Sequence, residues 1–305
     1  MEVVSITPRG YCYGVVNAID VAKKARLQNP EDDIYILGMI VHNKYLVSAL
    51  DKYKIITLDD TYKSRLDLVD EIDHGVVVLS AHGSDPKVKI KAEDKGLIVY
   101  DATCKDVTKT HNIVIDHLLE GYDVIYYGKE NHPEAISVLA LGDKIHLVTN
   151  VDDIKNLDID NDKIFITNQT TISYLDALEI FAKVKEKYPN VVIADEVCDA
   201  TRVRQQAILD LDDRIEAVYI VGDPKSNNSN KLAQLAAEKN KKSYLIETVN
   251  DIDIEDLKKY DVVGVSSGAS TPTYLTNQVI AYLKAFDKNN LSTYPKPSIE
   301  LEKII

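Results

Sequence analysis

The chain of 305 residues holds three cysteines, Cys12, Cys104 and Cys198, separated by 92 and 94 positions. An odd number of widely spaced cysteines does not make a disulfide framework, and with no Cys-x-x-Cys pair neither a zinc finger nor a thioredoxin-like motif is supported. Three thiolates from three separate loops could hold a four-iron cluster while leaving one iron without a protein ligand, open to substrate. The bland alternative is three small buried hydrophobes, a common fate of free cysteines. The contexts Arg9-Gly-Tyr-Cys-Tyr-Gly14, Asp101-Ala-Thr-Cys104 and Glu196-Val-Cys-Asp-Ala-Thr201 are polar loop sequences, which favours the ligand reading.

Of seven histidines, His42, His82 and His132 each follow a strand-like run in a turn-like context. His111 and His117 fall on a predicted helix, His74 precedes a strand and His146 lies within a strand-like run, all ordinary structural places. A single histidine is more often structural than a ligand, but three at equivalent strand ends favour a shared site. In His132-Pro-Glu134 an imidazole and a carboxyl group stand two residues apart with proline restricting the turn, a pair able to bind an anion and deliver a proton. A solvent-facing acid at a helix start explains Glu134 equally well at this point. Ser226-Asn-Asn-Ser-Asn230 and Ser266-Ser-Gly-Ala-Ser-Thr-Pro272 both lead into predicted helices, where free backbone N–H groups and small polar side chains can cradle phosphate. Either alone could be a simple cap; two at matching offsets favour an anion site, the anion unidentified.

These residues need elements to position them. Short β-branched runs alternate with helical patterns throughout, the signature of mostly parallel sheets covered by helices. The runs predict strands over Val3–Ile6, Ile34–Leu37, Val76–Ser80, Leu97–Tyr100, Val124–Tyr127, Ile164–Thr167, Val191–Ala194, Val218–Val221 and Val262–Val265. Apolar spacing of three and four predicts helices over Val15–Arg26, Val107–Glu120, Tyr174–Tyr188, Thr201–Leu211, Lys231–Lys239 and Pro272–Phe286. From each cysteine, two polar loops recur at similar offsets: His42 and His82 at +30 and +70, His132 and Thr170 at +28 and +66, Ser226 and Ser270 at +28 and +72. Parallel sheets place ligands outside the carboxyl ends of their strands, so all nine loops could serve one space. The expectation is an α/β chain of three pseudo-equivalent domains, residues 1–103, 104–196 and 197–305. The thirds share a layout and not a sequence. The acidic stretch Val151–Lys163 reads as a solvated face or connection, and the tail Asn289–Ile305, with Pro295 and Pro297, as an extended arm packed on another domain.

Hydrophobic residues make up 45% and charged residues 28%, as in ordinary globular proteins, and the net charge of −13 argues against nonspecific nucleic-acid binding. No apolar run approaches the ~18 residues of a membrane helix, and Met1-Glu2-Val3-Val4 does not open like a signal peptide. The expected setting is cytoplasmic, with neither nucleic acid nor membrane as partner.

Taken together, the motifs resemble the 4-hydroxy-3-methylbut-2-enyl diphosphate reductase family, IspH or LytB, over nearly the whole chain. Pro8-Arg-Gly-Tyr-Cys-Tyr-Gly-Val15, Asp101-Ala-Thr-Cys104 and Cys198-Asp-Ala-Thr201 with Arg204-Gln205 are similar to its three cluster-ligand loops. Val41-His-Asn43, Ala81-His-Gly83, His132-Pro-Glu134, Gln169-Thr-Thr171, Ser226-Asn-Asn228 and Gly268-Ala-Ser270 are similar, in order, to its substrate motifs. The resemblance implies a trefoil of three α/β domains around one [4Fe-4S] cluster with three cysteine ligands, Cys12, Cys104 and Cys198, and one open iron. It implies that His42, His82, His132, Ser226, Asn227, Asn228 and Ser270 hold the diphosphate, that Thr170 positions the substrate hydroxyl, and that Glu134 supplies protons. It also implies a ferredoxin- or flavodoxin-type electron donor, and docking of an acidic donor on this acidic chain would need a local basic patch. The chain departs from the family pattern at Lys105 and Asn131, where proline and glycine are common, and at Asn227, where serine is common and where the backbone N–H could serve instead. Two other readings stand beside it: a quinolinate-synthase-like iron–sulfur dehydratase, whose substrates carry carboxylates, and a noncatalytic iron–sulfur electron-transfer or sensor protein.

Overall fold

In a computed structural model of the chain, which describes residues 1–194 and 198–305, the β-branched runs become short parallel strands and the periodic segments become the helices between them. The boundary expected between residues 196 and 197, and the Glu196-Val197 lead into Cys198, lie outside the described residues. The first third runs β1 (Glu2–Ser5), α1 (Tyr13–Gln28), β2 (Ile34–Leu37), α2 (Lys44–Lys52), β3 (Ile55–Leu58), α3 (Arg65–Asp70), β4 (Val76–Leu79), α4 (Pro86–Asp94) and β5 (Ile98–Asp101). The second runs α5 (Lys105–Leu119), β6 (Asp123–Tyr127), α6 (Pro133–Leu139), β7 (Ile145–Val148), α7 (Val151–Asn156), β8 (Ile164–Asn168), α8 (Tyr174–Lys187) and β9 (Val192–Ile193). The last runs α9 (Asp199–Leu209), β10 (Ala217–Val221), α10 (Asn227–Glu238), β11 (Lys242–Ile246), α11 (Ile254–Leu257), β12 (Val262–Ser267) and α12 (Thr273–Ala285).

The strands form three four-stranded sheets, ordered β3-β2-β4-β5, β7-β6-β8-β9 and β11-β10-β12-β1, all pairs parallel. Each order is second, first, third, fourth, so the threefold repeat suggested by the cysteine spacing is a repeat of topology. Its closure is circular: the fourth place in the last sheet is filled by β1, whose Val3 and Ser5 pair with Val263 and Val265. The Val3–Ile6 run therefore belongs to a sheet whose other strands come from the last third.

The adjacent first and third strands are the buried ones. Val76–Leu79, Asp123–Tyr127, Ile164–Asn168 and Ala217–Val221 are buried at every residue, as expected for parallel strands covered on both faces. In the second sheet, Ile180, Phe181 and Val184 of α8 pack with one set of strand residues and Val114 of α5 and Val138 of α6 with another.

By internal packing the chain divides into two units, one of Met1–Val15, His42–Lys52 and Asp199–Ile305, the other of Val16–Val41 and Tyr53–Cys198. The tail, irregular apart from 3-10 turns at Leu291–Thr293 and Leu301–Lys303, is held within the first unit. Gln278 donates to the Ser298 carbonyl at 2.9 Å, the Tyr274 hydroxyl accepts from Glu300 N–H at 3.3 Å, and Lys52 of α2 pairs with Glu302. The acidic stretch contains one helix the pattern did not announce, α7, started by a capping box between Asn150 and Asp153.

Candidate active site

In each sheet the chain order reverses between the first and third strands, and such switch points are where open α/β sheets bind ligands beyond the strand carboxyl ends. The first strands β2, β6 and β10 lead to His42, His132 and Ser226; the third strands β4, β8 and β12 lead to His82, Thr170 and Ser270. The fourth strands β5, β9 and β1 lead to Cys104, Cys198 and Cys12. Each cysteine immediately precedes a helix, α5, α9 and α1 respectively, and all three are half-buried and outside any disulfide. The partial positive charge of a helix N-terminus suits an anionic sulfur ligand. This donor set, repeated at three equivalent places, fits iron–sulfur ligation.

The second unit gathers Cys104, Cys198, His82, His132, Glu134 and Thr170. Cys104 caps α5, and its N–H donates to the Ala81 carbonyl at 3.0 Å, tying its loop to the one carrying His82. The Cys198 sulfur lies 3.1 Å from Asp106 Oδ2 in the first turn of α5. The rings of His82 and His132 meet edge to face, centroids 5.5 Å apart. His132 caps α6: its Nδ1 accepts the Glu134 N–H at 3.2 Å, which leaves the ring proton on Nε2 as a donor. The preceding Asn131 has φ of 61°, a left-handed conformation that asparagine tolerates better than most residues and glycine adopts freely. That explains why asparagine can stand where the resemblance leads us to expect glycine. Lys105, the other departure, is the first residue of α5, a position that favours proline without requiring it.

Glu134 begins a helix, as the bland alternative supposed, but it is only 1% exposed. Its Oε1 accepts the Thr170 N–H at 2.6 Å, its Oε2 meets the Thr170 hydroxyl at 3.0 Å, and the Tyr126 hydroxyl stands 3.5 Å from Oε1. Burial pushes the carboxyl up from 4.5 to about 7, against the lowering effect of the hydrogen bonds from Thr170 and Tyr126. It can therefore hold and release a proton near neutral pH.

The first unit gathers Cys12, His42, Ser226, Asn227, Asn228 and Ser270. Cys12 N–H donates to the Ala269 carbonyl at 2.9 Å, and the Ser270 hydroxyl lies 3.3 Å from the His42 carbonyl and 3.5 Å from Ser226 Oγ. Ser226 caps α10 by accepting the Ser229 N–H at 3.3 Å, and Asn227 is the first helical residue. Asn228 is 3% exposed, yet neither end of its side-chain amide has a hydrogen-bond partner in the structure. Buried polar groups are almost always paired, so an orphaned amide in the first turn of α10 points to a ligand that completes it. Arg204, from the motif after the third cysteine, donates to the Gly10 carbonyl at 2.8 Å, two residues before Cys12.

Three supporting residues carry no signal in the sequence. Tyr126 reads as one more apolar strand position. Ser137 donates to the Glu134 carbonyl at 2.8 Å and contacts His111 Nε2 at 2.9 Å, while Gly83 packs against both, a built Cβ there meeting Ser137 Oγ and His111 Cε1 at 3.0 Å. His111, unremarkable on its helix, thus braces the ground between His82 and Glu134.

The family model described as LytB protein matches residues 3–284. The 4-hydroxy-3-methylbut-2-enyl diphosphate reductases of Geobacillus kaustophilus (strain HTA426) and Bacillus subtilis (strain 168) are each 47% identical over 309 residues, covering 100% of this chain and 97% and 98% of theirs. Among solved structures, the E-1-hydroxy-2-methyl-but-2-enyl-4-diphosphate reductase from Plasmodium falciparum superposes with a TM-score of 0.87 at 32% identity, covering 94% of this chain and 89% of that one. With a family model matched over residues 3–284 and relatives 47% identical over its full length, the chain belongs to the LytB family of 4-hydroxy-3-methylbut-2-enyl diphosphate reductases.

Proposed function

We propose that the protein reduces 4-hydroxy-3-methylbut-2-enyl diphosphate to isopentenyl and dimethylallyl diphosphate, the last step of the non-mevalonate isoprenoid pathway. The observation that carries this reading is Glu134, a buried acid with its pKa near 7, between a histidine cap and the Thr170 turn. The relatives' names support the reductase reading and lend nothing to the dehydratase or sensor alternatives.

Cys12, Cys104 and Cys198 are assigned as the ligands of one [4Fe-4S] cluster with one iron left open. When bound, the cluster would relay to the substrate, one at a time, the two electrons from an external donor that reductive loss of a hydroxyl consumes. The reaction also takes up two protons, one leaving with the hydroxyl oxygen as water and one ending on carbon. Glu134 holds the first at a carboxyl oxygen, and Thr170 Oγ1, within hydrogen-bond reach of Oε2, orients it and positions the substrate hydroxyl. His42, His82, His132, Ser226, Asn227, Asn228 and Ser270 hold the diphosphate through ring N–H, hydroxyl, amide and backbone donors. Burial of Glu134 keeps bulk water from exchanging its proton without control. A ferredoxin- or flavodoxin-type protein is the assigned electron donor. Among the described residues no helix is long and apolar enough to cross a membrane.

The test is iron and sulfide content after anaerobic purification, together with turnover of the hydroxylated diphosphate. Four irons and four sulfides per chain with turnover are expected, and Cys198→Ser should lose most of the iron and the activity. Wild-type iron in Cys198→Ser would overturn the ligand assignment.

A further inference from the structure

The residues assigned to the diphosphate include no lysine or arginine, an unusual economy for so charged a ligand. A cation does brace the loop that carries one of them, His82. Arg65, first residue of α3, sends its guanidinium back into the loop after β4 that carries His82. Nη2 donates to Ser80 Oγ at 2.8 Å, and Nη1 donates to Ser84 Oγ at 2.7 Å and to the Gly83 carbonyl. These three acceptors bracket His82 on both sides. The room for the fork comes from Gly38, with φ of 75°, where a built Cβ would stand 3.2 Å from Nε and Nη2. Ser80 is fully buried and Arg65 half-buried.

All the hydrogen-bond acceptors of Arg65 are neutral. Among the described residues no carboxylate lies within ion-pair distance of it, and Asp59 acts on it only from farther away. Burial lowers its pKa to about 10, still far above neutrality, so the group stays charged. A desolvated cation held without a counter-ion is costly, and an anion placed nearby relieves that cost. The planar fork also does what a lysine could not, because it spans two hydroxyls and a carbonyl at once and so fixes the path of the loop.

We propose that Arg65 is a positioning residue for diphosphate binding: its guanidinium locks the Ser80–Ser84 loop so that His82 faces the anion, and it supplies uncompensated positive charge behind that histidine without touching the ligand. The inference rests on the site reading given above. It predicts that affinity for the diphosphate, and not the chemical step, depends on this side chain.

The experiment uses the full-length holoenzyme and compares wild type with Arg65→Gln, Arg65→Lys and His82→Ala, reading the Kd for inorganic pyrophosphate by calorimetry and kcat and KM for the allylic diphosphate. Arg65→Gln should raise the pyrophosphate Kd and the substrate KM about tenfold, with kcat within about twofold of wild type, since charged hydrogen bonds and a nearby charge are worth roughly that factor. Arg65→Lys, keeping the charge and losing the fork, should fall between. A wild-type Kd in Arg65→Gln alongside a weakened His82→Ala would overturn the inference and leave the site standing; a wild-type Kd in both would overturn the site reading as well. A loss confined to kcat would also overturn it. Where Arg65→Gln does not fold, Ser84→Ala replaces it, with a Kd raised about two- to threefold expected; wild-type Kd in both Ser84→Ala and Arg65→Lys would overturn the proposal.

Discussion

The N-termini of α6 and α10 occupy the same place in two different sheets, each reached from a buried first strand, and they carry opposite chemistry. In α6 the cap is His132 and the second helical residue is Glu134; in α10 the cap is Ser226 and the second helical residue is Asn228. Both second residues are buried, at 1% and 3% exposure. Glu134 arrives with its oxygens already engaged by Thr170 and Tyr126, whereas the Asn228 amide has no partner. One slot thus holds its proton chemistry within the protein, and the other keeps its hydrogen-bonding capacity for something that must be brought in. The shared topology sets the place, and in the function proposed above one residue in each slot divides the work between delivering a proton and binding an anion.

The comparison breaks most directly at Glu134. Glu134→Gln keeps the volume and much of the hydrogen-bonding capacity and removes the transferable proton, so kcat should fall by at least about 10²-fold, the lower end of general acid catalysis. Pyrophosphate should still bind, which separates a chemical defect from a binding one. Stability should move the other way. A carboxyl raised to about 7 in the folded protein contributes most below its unfolded value, and that contribution is lost as pH rises through 7. At pH 8 Glu134→Gln should therefore melt no lower than wild type, as differential scanning calorimetry can check. Near-wild-type turnover would move the acid role to another group.

Asn228→Ala attacks the other slot, and its expected effect is smaller. Alanine leaves no orphaned amide in the free protein, so folding should be unharmed or slightly improved, while the ligand loses its hydrogen bonds at a cost of about 1–1.5 kcal/mol, roughly tenfold in Kd. The kcat at saturating substrate should hold. An unchanged pyrophosphate Kd would make the loop a helix cap and nothing more.

The two slots also differ from the rest of the molecule in how far the sequence discloses them. The cysteines, the His-Pro-Glu element and the serine loops are legible because their chemistry resides in side-chain type, and their offsets survive where identity between the thirds does not. The buried central strands are legible for a related reason: with both faces covered, they must be continuous apolar runs. The strands β3, β7 and β11 have no such requirement. Each is an edge strand, partly exposed, and runs such as Lys242-Ser-Tyr-Leu-Ile246 carry polar residues that dilute the signal. The short helix α6 leaves no periodicity to read over its 7 residues. The pairing of β1 with β12 is invisible for a deeper reason, since a strand's partner is not written in its own run. Tyr126, Ser137 and Arg65 share that difficulty, each acquiring its role only from what the fold puts beside it.

Tyr126→Phe gives the finest adjustment of the acid slot. Its hydroxyl, 3.5 Å from Glu134 Oε1, lies behind the carboxyl in the fully buried strand β6, so its removal leaves the residues assigned to substrate in place. That long hydrogen bond favours the carboxylate and holds the pKa slightly below where burial alone would put it. Without it the carboxyl should titrate a few tenths of a pH unit higher, as expected from loss of a weak hydrogen bond. A rate that needs the protonated acid falls above about pH 7 in the wild type, and in the variant that falling limb should move to higher pH. At pH 8 the substitution should then leave kcat/KM equal to or above wild type, while below pH 6 the two curves should meet. An alkaline limb that stays fixed in Tyr126→Phe and persists in Glu134→Gln would belong to some other group, and the contrast between the two helix ends would lose its chemical half.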